Sequence, residues 1–376
     1  MHHRDIIWIS AVEPSADLHG SNLIKELKRF FPNFEFVGIG GPRMRKEGLR
    51  SLYPAEDLSV MGLIEVISSI PKFFMLYGKI KEFLKRSKPF FMILIDAPDF
   101  HFKIAKVAYS LSIPVFYYIS PQVWAWRKSR IKFLKKYVKK LFCIFPFEEA
   151  FFKKHGLDVE YVGHPLMEEI DFKTLSSVKP VKRKIILLPG SRKKEVISLM
   201  PEFFKASLII KSKYPDTSFT LIKASNIENS DIFGLWNIKK LPLELISKEE
   251  EKYKKMKEGE VAIAASGTAT LECGLLNLPC VVTYKVSLLS YLIARWLVDA
   301  KYISMTNIIL NEKVFPEFIQ DDANAENIAS QVIFWFKRPE ILQKIRDRLN
   351  DLKTIIGNKK ASYNCAKSIW ECVCRS

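Results

Sequence analysis

The chain predicts an α/β fold of two doubly wound domains, and three features predict it. Short apolar runs rich in β-branched residues alternate with amphipathic stretches of helix length, the pattern of parallel strands joined by crossover helices. The alternation runs twice, on either side of a polar, lysine-rich stretch, EEIDFKTLSSVKPVKRK, that reads as a linker. With 376 residues, 48% of them hydrophobic, the chain is also too long for one ordinary core.

Taken in order, DIIWISA (5–11) is the first expected strand, and LHGSNLIKELKRFF is the helix after it. FEFVGIGG (34–41), FFMILIDA (90–97) and IPVFYYIS (113–120) follow as strands, and VEYVGHPL (159–166) closes the first series. Two basic segments have helical spacing. In KFFMLYGKIKEFLKRSK (72–88), Phe73, Leu76, Tyr77, Ile80 and Leu84 share one stripe between lysines. In RKSRIKFLKKYVKK (127–140), Ile131, Leu134 and Val138, with Leu141 just beyond, turn inward. The second series is KIILLPGS (184–191), SFTLIKAS (218–225), VAIAAS (261–266) and CVVTYK (280–285). Ligands of such sheets bind beyond the carboxyl ends of the strands, so a cleft between the domains is expected to hold the site.

Lys and Arg number 59 against 41 acids, a net charge of +18 that favours anionic lipid, nucleic acid or phosphorylated substrates as partners. No RRM-, KH- or finger-type signature accompanies that charge, and no nucleic-acid partner is expected. The apolar run between Asp5 and Glu13 is too short for a signal sequence and no stretch reaches membrane-span length, so the expectation is a cytoplasmic protein. The six cysteines are scattered, and the pair in CVC lacks a second pair at zinc spacing; buried or incidental thiols are expected rather than disulfides or a metal site.

Chemistry-bearing residues gather at the ends of expected strands. SAVEPSADLHG offers Glu13, Ser15 and Asp17 where a helix starts, and LLPGSRKKEV places Gly190, Ser191 and Arg192 after a strand. Amides at that turn, with the guanidinium, suit a diphosphate, although the sequence is no Walker A loop. AASGTATLECGLL repeats the arrangement with Ser266, Gly267 and Thr268, and Glu272 one turn further could accept from ribose hydroxyls. In ILIDAPDFHF, Asp96 and Asp99 end a strand, and Pro98 keeps Ala97 out of the helical region. One such carboxylate can serve as a general base. Taken singly, each motif also reads as a capped helix start or a tight αβ junction, and for the SGTATLE motif the capped helix is the preferred reading. The histidines stand alone, without a nucleophile or metal arrangement.

Together these motifs resemble the lipid-A-disaccharide synthase family, inverting glycosyltransferases of GT-B architecture. The resemblance runs to about residue 345 through VEPSADLHG, GIGGPRM, VMGLIEV, IDAPDF, YYISPQVWAWR, FPFE, YVGHPL, LLPGSRKKEV, SGTATLECGLLNLPCVVTYK and NIILNEKVFPEFIQ. It implies transfer from UDP-2,3-diacylglucosamine to 2,3-diacylglucosamine 1-phosphate, giving a β-1,6 disaccharide phosphate and UDP, with no cofactor and no metal. It makes Asp99 the general base and Asp96 its support, with Glu13, Ser15 and Asp17 facing the cleft. Around the UDP it places Gly190, Ser191, Arg192, Ser266, Gly267, Thr268 and Glu272, with Asn307, Glu317 and Gln320 on a further ligand-facing stretch. The segment 61–88, through Met61, Leu63, Ile64, Val66, Phe73, Leu76, Tyr77, Ile80 and Leu84, becomes the face that meets an anionic membrane. The implied enzyme is peripheral to the inner membrane, with a homodimer compatible with the resemblance.

Implied boundaries are 1–168 for the acceptor domain and 169–345 for the UDP domain, with 346–376 as a helix packing back on the first. Three positions depart from the family pattern: Val12 and Ala16 where glycines are typical, and Thr306 where proline is usual. Rival readings are another UDP-N-acetylglucosamine transferase or epimerase of the same architecture, and a non-enzymatic basic protein.

Overall fold

The structure is a computed structural model that describes residues 5–55, 70–124, 129–286 and 301–374. Met61, Leu63, Ile64 and Val66 lie outside these residues. The chain divides into two compact units, Met1–Glu169 with Asn358–Ser376, and Ile170–Gly357.

The first unit is built on a seven-stranded sheet: β1 (Ile6–Ser10), β2 (Glu35–Gly40), β3 (Arg50–Pro54), β4 (Phe91–Ile95), β5 (Val115–Tyr118), β6 (Lys140–Cys143) and β7 (Val159–Tyr161). The order is β3-β2-β1-β4-β5-β6-β7 with parallel pairing throughout, so the winding reverses between β1 and β4. β4, FMILI, is buried along its whole length, as a strand covered by helices on both faces must be. Helices Ile70–Ser87, Pro98–Ser110 and Arg130–Tyr137 lie side by side on one face.

The stripe assigned to the membrane is largely a core stripe. Leu76, Ile80 and Leu84 are at most 3% exposed and join the hydrophobic core, with Tyr77 packed against it. Among the described side chains of that helix, the exposed large apolar ones are Phe74 and Met75, at 63% and 56%. The second basic helix also ends earlier than expected, at Tyr137, so Leu141 sits in β6 and not on a helix face.

The second unit carries a six-stranded parallel sheet: β8 (Lys184–Leu188), β9 (Ser218–Ile222), β10 (Glu244–Ile246), β11 (Val261–Ala265), β12 (Cys280–Tyr284) and β13 (Glu317–Ile319). Its order, β10-β9-β8-β11-β12-β13, reverses between β8 and β11. The helix Pro339–Ile356 runs straight through residue 345, the expected end of this domain, and buries Leu342, Leu349, Leu352 and Ile356. The chain therefore leaves the second unit only after Gly357.

The last helix, Ala361–Cys374, packs on helix Pro14–Phe30 of the first unit, with Tyr363 and Trp370 against Phe30. Polar bonds fix its path: Ser362 N–H donates to Glu168 at 2.9 Å, Asn364 to the Val162 carbonyl at 2.9 Å, and Ser368 to Glu160 at 2.6 Å. Gly163, at φ +110°, makes room for it; a Cβ there would lie 2.6 Å from the Lys359 carbonyl oxygen.

Candidate active site

In the first sheet the loops after β1 and β4 leave from adjacent strands at the point of reversal, where open α/β sheets bind ligands. The β1 loop buries Val12 and Ala16 and exposes Glu13 and Ser15. Asp17 is held inside the first unit. It is 4% exposed, and its carboxylate accepts from the amides of Gly41 (2.8 Å), Arg43 (3.0 Å) and Met44 (3.1 Å). These are orphan amides at the start of helix Pro42–Lys46, so Asp17 caps a neighbouring helix.

After β4 the chain makes a constrained turn. Asp96 (φ 51°) and Ala97 (φ 45°) are both left-handed, and Pro98 opens the next helix. Two non-glycine residues there cost roughly 1–2 kcal/mol each, so the surroundings must hold them. Tyr117 O–H donates to the Asp96 carbonyl at 2.5 Å, and His101 Nδ1 bonds it at 2.7 Å. The Asp96 carboxyl is raised to about 6 by burial and by the charge of Glu13, against the Ala97 amide and His19. Asp99, one helical turn on, has a 74% exposed side chain and pairs with Arg130, whose guanidinium lies over the Phe102 ring. One acid is thus desolvated inside the turn, and the other is presented at the rim.

The loops after β5 and β6 meet at Glu148, a buried residue of the FPFE motif. It accepts from Trp124 Nε1 at 3.0 Å and from the Phe145 amide at 3.2 Å. Burial, offset in part by Trp124 and other donors, raises its carboxyl to about 7.

In the second unit the loops after β8 and β11 stand at the other reversal. Gly190 has φ +106°, and a Cβ there would lie 2.4 Å from Glu195 Oε2, so the turn admits glycine alone without rearrangement. Ser191 and Arg192 are exposed. Glu195 accepts from the Arg192 amide at 3.3 Å, and Asn226 donates to the Ser191 carbonyl at 2.7 Å, which pins the loop from both sides. Gly267 and Thr268 are exposed at the start of helix Thr268–Leu275, with open space beside Gly267, and Ser266 donates to the Ile303 carbonyl at 3.1 Å. Glu272 is buried, and its Oε1 accepts from Lys252 at 2.6 Å and Tyr253 at 3.3 Å.

Asn307, Glu317 and Gln320 each have partners within the second unit. Asn307 is fully buried and exchanges two 2.8 Å bonds with the Phe315 backbone. Glu317 accepts from the Ser304 amide at 2.9 Å and Asn307 Nδ2 at 2.9 Å. Gln320 grips the Val286 backbone through both its amide atoms. Thr306, the departure from proline, donates to the Thr270 carbonyl at 2.8 Å and ties the two helices together.

Arg130, Tyr117 and Asn226 enter the site unforeseen, because their partners lie 31, 21 and 35 residues away along the chain. His101 stood in the sequence as a lone histidine; its spacing of five from Asp96 was the one local signal.

Two doubly wound domains, each with polar loops at its strand-order reversal, define the GT-B class of glycosyltransferases and sugar-nucleotide epimerases. The fold is shared with the UDP-GlcNAc 2-epimerase from Neisseria meningitidis bound to UDP-GlcNAc, at TM-score 0.64 and 14% identity over 99% of this chain and 100% of that one. It is shared with MurG of Acinetobacter baumannii at TM-score 0.56 and 11% identity, over 99% and 100%. Residues 7–371 match the family model described as lipid-A-disaccharide synthetase, and the chain belongs to that family. It is 36% identical over 372 residues to the lipid-A-disaccharide synthase of Geobacter metallireducens, covering 97% of this chain and 96% of that one. Against that of Nitrosococcus oceani it is 36% identical over 359 residues, covering 94% and 92%. The protein is accordingly a glycosyltransferase of lipid A biosynthesis.

Proposed function

We propose that Asp99 is the general base of a direct, inverting displacement. The family reaction joins UDP-2,3-diacylglucosamine to 2,3-diacylglucosamine 1-phosphate. Asp99 takes the proton of the acceptor's 6-hydroxyl, that oxygen attacks the donor's anomeric carbon, and UDP leaves from the opposite face. The observation that carries this reading is the exposed Asp99 carboxylate at the carboxyl end of β4, beside the β1 loop bearing Glu13 and Ser15. Arg130 steadies that carboxylate at the rim until the acceptor arrives.

On the donor side, the amides at Gly190–Ser191 and Gly267–Thr268, with Ser266 and Arg192, receive the diphosphate. Charge grows there as UDP departs, so these donors favour the transition state over the ground state. Glu272, anchored through one oxygen, offers the other to the ribose. Asn307, Glu317 and Gln320 act indirectly, by bracing the backbone at 286 and at 303–304. Replacing Asp99 by Ala is expected to lower kcat about 10²–10⁴-fold, the usual loss for a general base, while UDP-donor binding survives. Near-normal kcat in that variant would remove Asp99 from the role.

The reading places the enzyme at the anionic face of the inner membrane. Supporting it are Phe74 and Met75, exposed near the start of helix Ile70–Ser87, and the exposed Lys79, Lys81, Lys85, Lys106, Lys132, Lys135 and Lys136 on the three neighbouring helices. Among the described residues no helix is long and apolar enough to cross a membrane.

A further inference from the structure

The left-handed turn at Asp96–Ala97 is held by buried side chains that the reaction above does not use. The amides of Phe100 and His101 bond the Ala97 carbonyl at 3.1 and 3.0 Å, so the Asp96 carbonyl lies outside the helix's own ladder. Two side-chain donors serve it instead, Tyr117 O–H and His101 Nδ1. A carbonyl only accepts, so the His101 proton sits on Nδ1, and Nε2 is left to accept from Ser10 Oγ at 2.9 Å. Ser10, His101 and Tyr117 are all 0% exposed. Ser10 and Tyr117 each pair in register with Leu94, one from β1 and one from β5. The end of β4 is therefore tied to both neighbouring strands, two residues beyond the register point where the chain turns left-handed.

We infer that His101 is a positioning residue for the transfer reaction: with Tyr117 it clamps the Asp96 carbonyl and fixes the turn that aims Asp99 at the acceptor. This rests on the reading of Asp99 as the base. Burial lowers the His101 imidazole to about 4, which keeps the ring neutral, and the Asp96 carbonyl holds its one proton on Nδ1.

The test is a double-mutant cycle on the full-length enzyme, assayed in detergent with both acylated sugars. Asn at position 101 sets an amide donor near the Nδ1 position, whereas Gln reaches the Nε2 position and leaves the Asp96 carbonyl one donor short. His101→Gln is expected to lower kcat about 10- to 100-fold, with both KM values and UDP affinity within about twofold, since a small misplacement of a reacting group costs that much. His101→Asn recovers most of the rate. D99A/H101Q is no slower than D99A, because a residue acting through Asp99 has nothing left to position.

Thermal unfolding and UDP binding report whether the variants fold. If His101→Gln does not, Tyr117→Phe removes the other donor with little loss of packing and carries the same expectations. Additive losses in the double variant, an unchanged kcat, or no rescue by Asn overturns the positioning role while leaving Asp99 as the base. A D99A enzyme of near-normal kcat overturns the reading of Asp99, and the positioning role with it.

Discussion

Asp96 and Asp99 are three residues apart and chemically alike, yet the turn between them gives them opposite environments. Burial and Glu13 hold the Asp96 carboxyl near 6, while Asp99 stands at the rim beside Arg130. The motif in the sequence marked both acids, and Pro98 marked the turn. What sets them apart comes from Ser10, Tyr117 and Arg130, which are remote in sequence and reach the site only through the sheet and the helix after β5. Asp17 shows the same from the other side: the first-turn motif marked the residue, but its three amide partners at the start of another helix reach it only through the fold.

Glu148 yields a prediction at the same scale. Its carboxyl is near 7 in the folded chain against an ordinary 4.5. A raised acid contributes fully to stability below its unfolded pKa and loses that contribution as pH rises through the folded value. Glu148→Gln cannot ionise and escapes the loss. Its Tm relative to the parent should therefore climb between pH 5 and pH 8, and a difference independent of pH would contradict the assigned environment.

Elements were legible in proportion to their length and burial. The five-residue buried strands β4, β8 and β11 announce themselves as apolar runs between turns. β10 and β13 have three residues each and cannot display a period, and the four of β6 follow directly on a basic helix that masks them. The stripe Leu76, Ile80, Leu84 shows why helical periodicity alone cannot choose between core and membrane: either apolar phase produces the same spacing, and the core took this one.

The loop after β8 can be tested as an element. Gly190→Ala must give up a φ of +106° or push Glu195 off the Arg192 amide. Strain of roughly 1–3 kcal/mol at such a position corresponds to about 5- to 150-fold weaker UDP binding, measurable by calorimetry, with little change in the first domain's Tm. Unaltered UDP affinity would detach this turn from the diphosphate.

At the scale of the molecule, the net charge of +18 has a local expression in the lysines of three neighbouring helices. Each cation near an anionic bilayer contributes about 1 kcal/mol, screened by salt over a Debye length of about 8–10 Å. Sedimentation with vesicles containing phosphatidylglycerol should show binding that falls as salt rises. The double replacement of Phe74 and Met75 by Glu should weaken that binding while leaving transfer in detergent intact. Equal binding to neutral vesicles would contradict the electrostatic part of the account.

The most direct measurement is transfer itself. The full-length enzyme is incubated in detergent with 2,3-diacylglucosamine 1-phosphate and either UDP-2,3-diacylglucosamine or UDP-N-acetylglucosamine, and disaccharide and UDP are scored together. Equimolar disaccharide phosphate and UDP are expected from the acylated donor alone. Comparable turnover of UDP-N-acetylglucosamine, or UDP released with no disaccharide formed, would contradict it.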